Sequence, residues 1–242
     1  MLPILNYSSE IWGYTKSKEL ERIHLKFCKR LLRVRVNTCT AAVYGELGHY
    51  PLYIQRYVKL IQYWFKLIDG DNIILRTIYN AALDDCNKGR TNWLSDIKHL
   101  LNEYEFAHIF DNLHSVDLKK FTFELKLKLI DRYKNVWLRS LESPVLKLYK
   151  ECKHVFGYEN YLDVLPISLR FYFCRLRLSV HPLRMHTGRY DRPRIVPEER
   201  CCLCCDTLDL EDEYHFIYIC SCYVVIRRKY LHKDLYQNPS MF

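Results

Sequence analysis

The chain has 242 residues, 49% of them apolar and 27% charged, and carries a net charge of +9. That balance is ordinary for a soluble globular protein of one large or two small domains with a substantial core. No apolar run reaches the ~18 residues of a membrane-spanning helix, which excludes one. Met1-Leu2-Pro3-Ile4-Leu5 lacks a basic flank and meets Glu10 too early for a signal peptide. A reducing compartment is therefore expected, where disulfides are rare.

Only 7 glycines and long apolar stretches at helical spacing predict a mainly α protein. Leu2 to Tyr14, with Pro3 and Gly13 at its ends, reads as extended or loop structure leading into a helix. Residues 17–36 predict the clearest helix. There Leu20, Ile23, Phe27, Leu31 and Val34 recur at steps of three and four and make one apolar stripe for a core. Arg22, Lys26, Lys29, Arg30 and Arg33 fall in a second stripe beside it, suited to anions.

A short helix from Cys39 to Leu47 stops at Gly48, and Pro51 suits the first turn of the next, carried by Ile54, Tyr57, Ile61, Phe65 and Ile68. Further helical segments are predicted from Ile73 to Leu83, Trp93 to Leu101, Phe106 to Phe110, Leu118 to Leu141, Val145 to Val155 and Leu169 to Leu178. The polar stretch Asp84 to Arg90 is a candidate boundary. From His181 onward Pro182, Gly188, Pro193 and Pro197 break the periodicity, giving segments 1–83, 84–180 and 181–242.

The positive charge is concentrated. Residues 16–35 hold eight Lys or Arg against two Glu, and residues 170–200 hold eight Arg against three acids, so the remainder is slightly acidic. Such concentration suits a phosphate-binding surface; two solvated basic helix faces are the competing reading. The arginine-rich segment interleaves Arg175, Arg177, Arg184, Arg189, Arg192 and Arg194 with Tyr190 and His186. Guanidinium groups both fork to phosphate and stack on bases, and aromatic rings stack on unpaired bases. The alternative is that these arginines pair with Glu211, Asp212 and Glu213 and brace the fold.

Six of the 11 cysteines lie between positions 201 and 222. They form Cys-x2-Cys, nine residues, then His215-x4-Cys220, a spacing that can bring three thiolates and one imidazole to a tetrahedral Zn2+. Four protein ligands close the coordination sphere, so the ion would be structural. From spacing alone the first pair is Cys201 with Cys204 or Cys202 with Cys205, and Cys222 competes with Cys220. Buried cysteines acting as small apolar residues are the bland alternative.

Three segments together resemble a known family. The opening L-P-I-L-N-Y-S-S-E-I-W-G is similar to the segment that follows the palm in reverse transcriptases of LINE-type, non-LTR retrotransposons. Arg175-Leu176-Arg177 through Thr187-Gly188-Arg189-Tyr190 resembles the basic linker before that family's zinc-binding segment. The Cys-x2-Cys pair with Glu211 to Phe216 and Cys220 resembles the zinc-binding motif that ends many such reading frames. Ser8 stands where a Gly is more usual, and Cys222 departs from the pattern.

The resemblance implies a helical thumb (1–83), a helical connection (84–180), and an arginine-rich linker with a CCHC zinc module (181–242). It implies Cys202, Cys205, His215 and Cys220 as ligands of a structural Zn2+. Lys26, Lys29, Arg30, Arg33, Arg175, Arg177, Arg184, Arg189, Tyr190, Arg192 and Arg194 would grip RNA or an RNA/DNA duplex. The polymerase aspartates and the endonuclease of such elements would precede Met1, and no restriction-like nuclease has room after Cys222. Asp84-Asp85 reads as a solvated turn. The chain is thus expected not to be an enzyme, to act in a cytoplasmic and nuclear ribonucleoprotein, and to pair with an upstream palm within a longer polyprotein. A host-derived, zinc-stabilised protein-interaction module is the alternative from a different class.

Overall fold

Side-chain caps written in the sequence fix several helix starts. Asn72 accepts hydrogen bonds from the backbone N–H of Ile74 and Leu75, and Asp117 accepts from those of Lys119 and Lys120. Asn92 and Ser95 form a reciprocal capping box. Each cap satisfies N–H groups that the first helical turn leaves without partners.

The computed structural model of the chain describes residues 2–113 and 116–237. In chain order the helices are α1 (Leu2–Leu5), α2 (Ser9–Trp12), α3 (Lys18–Leu31), α4 (Thr40–Leu47), α5 (Leu52–Asp69), α6 (Ile73–Asn87), α7 (Trp93–Glu103) and α8 (Ala107–Asp111). There follow α9 (Leu118–Ser140), α10 (Lys147–Cys152), α11 (Tyr161–Val164), α12 (Ile167–Arg177), α13 (Arg184–Thr187), α14 (Val224–Tyr230) and α15 (Lys233–Gln237). Among the described residues β structure is limited to two isolated antiparallel bridges, Leu47 with Tyr158 and Cys201 with Leu210. The mainly α expectation is met. No helix of the described residues is long and apolar enough to cross a membrane.

The chain divides into two compact units. The first comprises Met1–Leu31, Thr40–Glu142 and Val155–Glu159. At its centre α5 buries Ile54, Tyr57, Leu60, Ile61, Trp64 and Phe65 against α7 and α9. Trp64 stacks on Phe110 with centroids 5.6 Å apart, and Leu94, Ile97, Leu101, Phe121, Leu125 and Leu129 complete the core. Each fully buried side chain of this kind contributes about 1.5–3 kcal/mol of transfer free energy. Trp137 ties α9 to α4 by donating its indole N–H to the Ala41 carbonyl at 2.9 Å. Asp84 and Asp85 lie in the last turns of α6, inside this unit.

Two expectations change here. Leu2 to Tyr14 is not extended but forms two short helices, α1 and α2, joined across Ser8, whose φ of +50° is in the left-handed region. The helix predicted over 17–36 ends at Leu31, and its apolar stripe does not face the core. Ile23 and Leu31 are 45% and 48% exposed, while His24, Cys28 and Lys29 are buried. At about 100° per residue the buried stripe is turned roughly a quarter of the circumference away from the apolar one. Long-range polar contacts cause the rotation. Glu21 accepts from the backbone N–H of Leu52 and Tyr53 and from the Arg56 guanidinium, while His24 and Cys28 meet Tyr44 and His49.

The second unit comprises Leu32–Cys39, Ser143–His154 and Asn160–Phe242. Leu32, Leu146, Tyr149, Leu162, Cys174, Leu178, Val180 and Leu183 are buried in it, and the cysteine cluster forms its own small core with Tyr223. Arg200, also buried, donates to the carbonyls of Ile195 and Met185. Gly188 leaves the space for that side chain, since a Cβ there would lie 2.9 Å from Arg200 Cγ and Cδ.

Candidate metal centre and nucleic-acid interface

The first ligand pair is presented by a tight hairpin. Cys201 bridges Leu210, Cys202 N–H donates to the Asp209 carbonyl at 2.8 Å, and Glu211 N–H donates to the Arg200 carbonyl at 2.9 Å. Within the turn Cys204 N–H donates to Cys202 Sγ at 3.4 Å, and the Thr207 hydroxyl lies 3.3 Å from Cys205 Sγ. The second pair comes from one turn of π-helix, His215–Ile219, capped where Asp212 accepts from His215 N–H. Its wider i→i+5 bond, Cys220 N–H to the His215 carbonyl at 2.8 Å, brings residues five apart onto one side. That explains why an x4 spacer serves here.

The Sγ atoms of Cys202, Cys205 and Cys220 and a ring nitrogen of His215 all lie within 4.8 Å of one another, and all four residues are buried. Cys202 Sγ is 3.9 Å from Cys220 Sγ, and Cys205 Sγ is 3.3 Å from His215 Nε2. Tetrahedral Zn2+ with Zn–S near 2.3 Å and Zn–N near 2.0–2.1 Å separates S from S by about 3.8 Å and S from N by about 3.6 Å. The group can hold a metal ion such as zinc. The register is Cys202 with Cys205; Cys204 and Cys222 are exposed, and the Cys222 thiol donates to the Cys204 carbonyl.

Burial raises the Cys202 and Cys220 thiols above their ordinary pKa, whereas the Thr207 hydroxyl and backbone N–H hold Cys205 below it. Cys205 is thus the group most ready to ligate, and ion binding would expel protons from the other two. His215 Nδ1 faces the Asp209 carboxylate at 3.7 Å, as suits an imidazole bound through Nε2. Buried Arg227 holds the π-turn closed by donating to the carbonyls of Ile217 at 2.7 Å and Cys220 at 2.9 Å. The sequence carries no signal for that role, because the carbonyls it reaches are fixed only by the π-turn.

No family model, curated protein or solved structure matches the chain.

The acids of the metal loop have partners of their own. Glu211 accepts from Arg184 backbone N–H at 2.8 Å. Glu213 pairs with His181 Nε2 at 2.8 Å and accepts from the Ser179 hydroxyl at 3.3 Å. Asp212 is the cap described above.

The basic residues then divide by environment. In the first unit Lys26 and Arg30 are exposed on α3. Lys29 is a correction to the predicted anion stripe, because the rotation of α3 leaves it only 8% exposed. In the second unit Arg33 is exposed, with its guanidinium 4.1 Å from the Phe171 ring centroid. Arg175 donates from Nε and Nη2 to the Arg33 carbonyl at 3.1 and 3.0 Å. Arg177 lies over Tyr161 and Phe173, and Arg184 sits 3.7 Å from Asp191. Arg189, Arg192 and Arg194 make no ion pair among the described residues, and Tyr190 is half exposed with its hydroxyl held by the Asn37 amide.

Only the end of the first basic stretch, Arg33 and Arg35, therefore meets the second within one unit. His186, buried beneath Tyr190, registers the result: burial, then Arg189, His181 and Arg35, lowers its pKa to about 4. Burial, then Arg189 and Arg194, likewise lowers that of Arg200. A set of cations unneutralised by neighbours is a local positive potential that phosphate can relieve.

Proposed function

We propose that this chain is a nucleic-acid-binding carboxy-terminal fragment of a non-LTR retrotransposon reverse transcriptase, with no polymerase or endonuclease centre of its own. Its zinc is structural, since three thiolates and an imidazole leave no open coordination position. The observation that carries the reading is the association, in one unit, of Arg189, Arg192 and Arg194 without ion pairs, half-exposed Tyr190, and a Cys3His cluster that orders the same segment. On the second unit the phosphate contacts come from Arg33, Arg175, Arg189, Arg192 and Arg194; on the first, Lys26 and Arg30 of α3 make sequence-blind contacts of their own. Arg177 and Arg184 sit at the edge, partly engaged by aromatic rings and by Asp191.

The left-handed Ser8 also supports the family assignment, because glycine, usual there in the family, adopts that conformation without steric cost. The arginine pairs available to RNA are not sequence-reading by themselves, so single-stranded segments are bound by stacking on Tyr190 and by backbone contact. Replacing Arg189 and Tyr190 together weakens single-stranded RNA more than duplex, measured by fluorescence anisotropy at low salt. Equal binding of that variant and the wild type to both RNAs would sink the proposal.

Exposed Ile4 and Ile11 on the opening helices, Tyr7 in the turn between them, and Ile23 and Leu31 on α3 favour a protein partner as well. In the reverse-transcriptase reading that partner is the upstream palm; in a host-derived protein it is another chain.

A further inference from the structure

A second group of ligand atoms lies in the first unit and plays no part in the reading above. His24, Cys28 and His49 bring a ring nitrogen, Sγ and a ring nitrogen within 4.8 Å of one another. His24 and Cys28 stand one helical turn apart on α3 and share a face. His49 follows α4, where Gly48 at φ +61° turns the chain back, and its N–H donates to the Tyr44 carbonyl at 3.0 Å. Only glycine fits that turn, since a Cβ would lie 2.5 Å from Tyr158 N.

Cys28 Sγ is 3.6 Å from His24 Nε2 and 3.7 Å from His49 Nδ1. Both match the S-to-N edge of a zinc tetrahedron, about 3.6 Å. The other nitrogen of His24 meets the Tyr44 hydroxyl at 3.3 Å, the outer partner that orients a ligating imidazole. The two imidazoles stack within 9° of parallel, both directed at the same sulfur. Cys28 is fully buried, His24 2% exposed, and His49 partly exposed, so the group has one solvent-facing side.

We propose that His24, Cys28 and His49 form a second, three-ligand site for Zn2+, with the fourth position open to solvent on the His49 side. A thiolate with two imidazoles is a donor set that zinc accepts, and three protein ligands leave one position for water or an exogenous ligand. The site also accounts for the rotated orientation of α3. That helix turns Ile23 and Leu31 outward and buries His24 and Cys28, an exchange that sacrifices apolar burial. Coordination of an ion offsets such a loss, because metal binding to the folded state contributes directly to folding free energy. A hydrogen-bonded Cys–His cluster without metal is the competing account.

The full chain, equilibrated with excess Zn2+ and gel-filtered, separates the two by atomic emission. The wild type is expected to hold two zinc ions per chain, and His49→Gln and Cys28→Ser one each. His215→Ala also holds one, and the His24 site alone supplies it. In the Co2+ form Cys28→Ser removes one of the four ligating thiolates, so the sulfur-to-cobalt band falls by about a quarter. A wild type with one ion that both Cys28→Ser and His49→Gln retain would overturn the site, as would two ions that neither variant disturbs. One ion lost from Cys28→Ser but kept in His215→Ala would uphold this site and refute the Cys3His one. Should either variant lose its helical circular dichroism, the cobalt band of the wild type decides: intensity for three thiolates overturns the site, and for four upholds it.

Discussion

Replacing Arg227 by Met keeps the aliphatic stem and removes the guanidinium that closes the metal loop. The side chain makes bonds of 2.7 Å to the Ile217 carbonyl and 2.9 Å to the Cys220 carbonyl, and a marginal one of 3.5 Å to Phe216. Hydrogen bonds from charged groups contribute about 1.5–3 kcal/mol each, so the two short ones sum to about 3–6 kcal/mol. Ile217 is only partly buried and its carbonyl regains water, whereas Cys220 is fully buried. A net loss of about 2–4 kcal/mol follows, carried mainly by the ligand Cys220. Outer-shell partners of metal ligands typically govern affinity by 10–100-fold, or about 1.4–2.7 kcal/mol, which agrees in size. Competition with a chromophoric chelator should therefore show zinc bound to the Cys3His site at least tenfold more weakly in Arg227→Met, with stoichiometry unchanged. Wild-type affinity in the variant would refute the reasoning, because it would mean the π-turn holds Cys220 in place unaided.

Three further perturbations test other parts of the account. His215→Ala, or removal of zinc by a chelator, should unfold the segment from about Arg200 onward while α5, α7 and α9 keep their helical circular dichroism; loss of the whole helical signal in one step would contradict this. Gly48→Ala should cost more than about 2 kcal/mol in thermal unfolding, because it combines a left-handed φ with a Cβ 2.5 Å from Tyr158 N; an unchanged melting temperature would count against the geometry of the His49 turn. His186 is neutral in the folded state, with a pKa lowered from 6.5 to about 4 by burial and by Arg189, His181 and Arg35. The unfolded chain binds that proton more readily, so the stability it contributes is complete above pH 6.5 and lost as pH falls toward 4. His186→Phe should flatten the stability profile across that window, and an identical profile would exclude the assignment.

The candidate metal centre was legible because its information is local. Cys-x2-Cys and His-x4-Cys each lie within one turn, so spacing alone left two registers for the first pair and Cys222 as the competitor of Cys220. Which register the fold uses depends on the hairpin pairing of Cys201 with Leu210, a contact that spacing does not specify. The helices of the first core were legible for a similar reason, since Ile54, Tyr57, Ile61 and Phe65 repeat at helical spacing and all are buried. The orientation of α3 was not. Its buried face is defined by Glu21, His24 and Cys28, whose partners lie 20 to 35 residues away, so the stronger apolar periodicity of Ile23, Phe27 and Leu31 pointed the wrong way. The same rotation removed Lys29 from the anion stripe. The meeting of Arg33 and Arg35 with the later arginines is likewise a tertiary event, some 140 residues long-range in the case of Arg175.

Binding of single-stranded RNA to the full chain as a function of salt tests the central claim most directly. The five phosphate-contacting arginines of the second unit, Arg33, Arg175, Arg189, Arg192 and Arg194, contribute about −3.5 to the slope of log Kobs against log salt on a single strand, since each contact contributes about −0.7, and Lys26 and Arg30 steepen it further. Arg192→Gln and Arg194→Gln together should reduce that slope by about 1.4 while leaving zinc content unchanged. No measurable RNA affinity at low salt, or a slope that the arginine substitutions leave unaltered, would contradict the account.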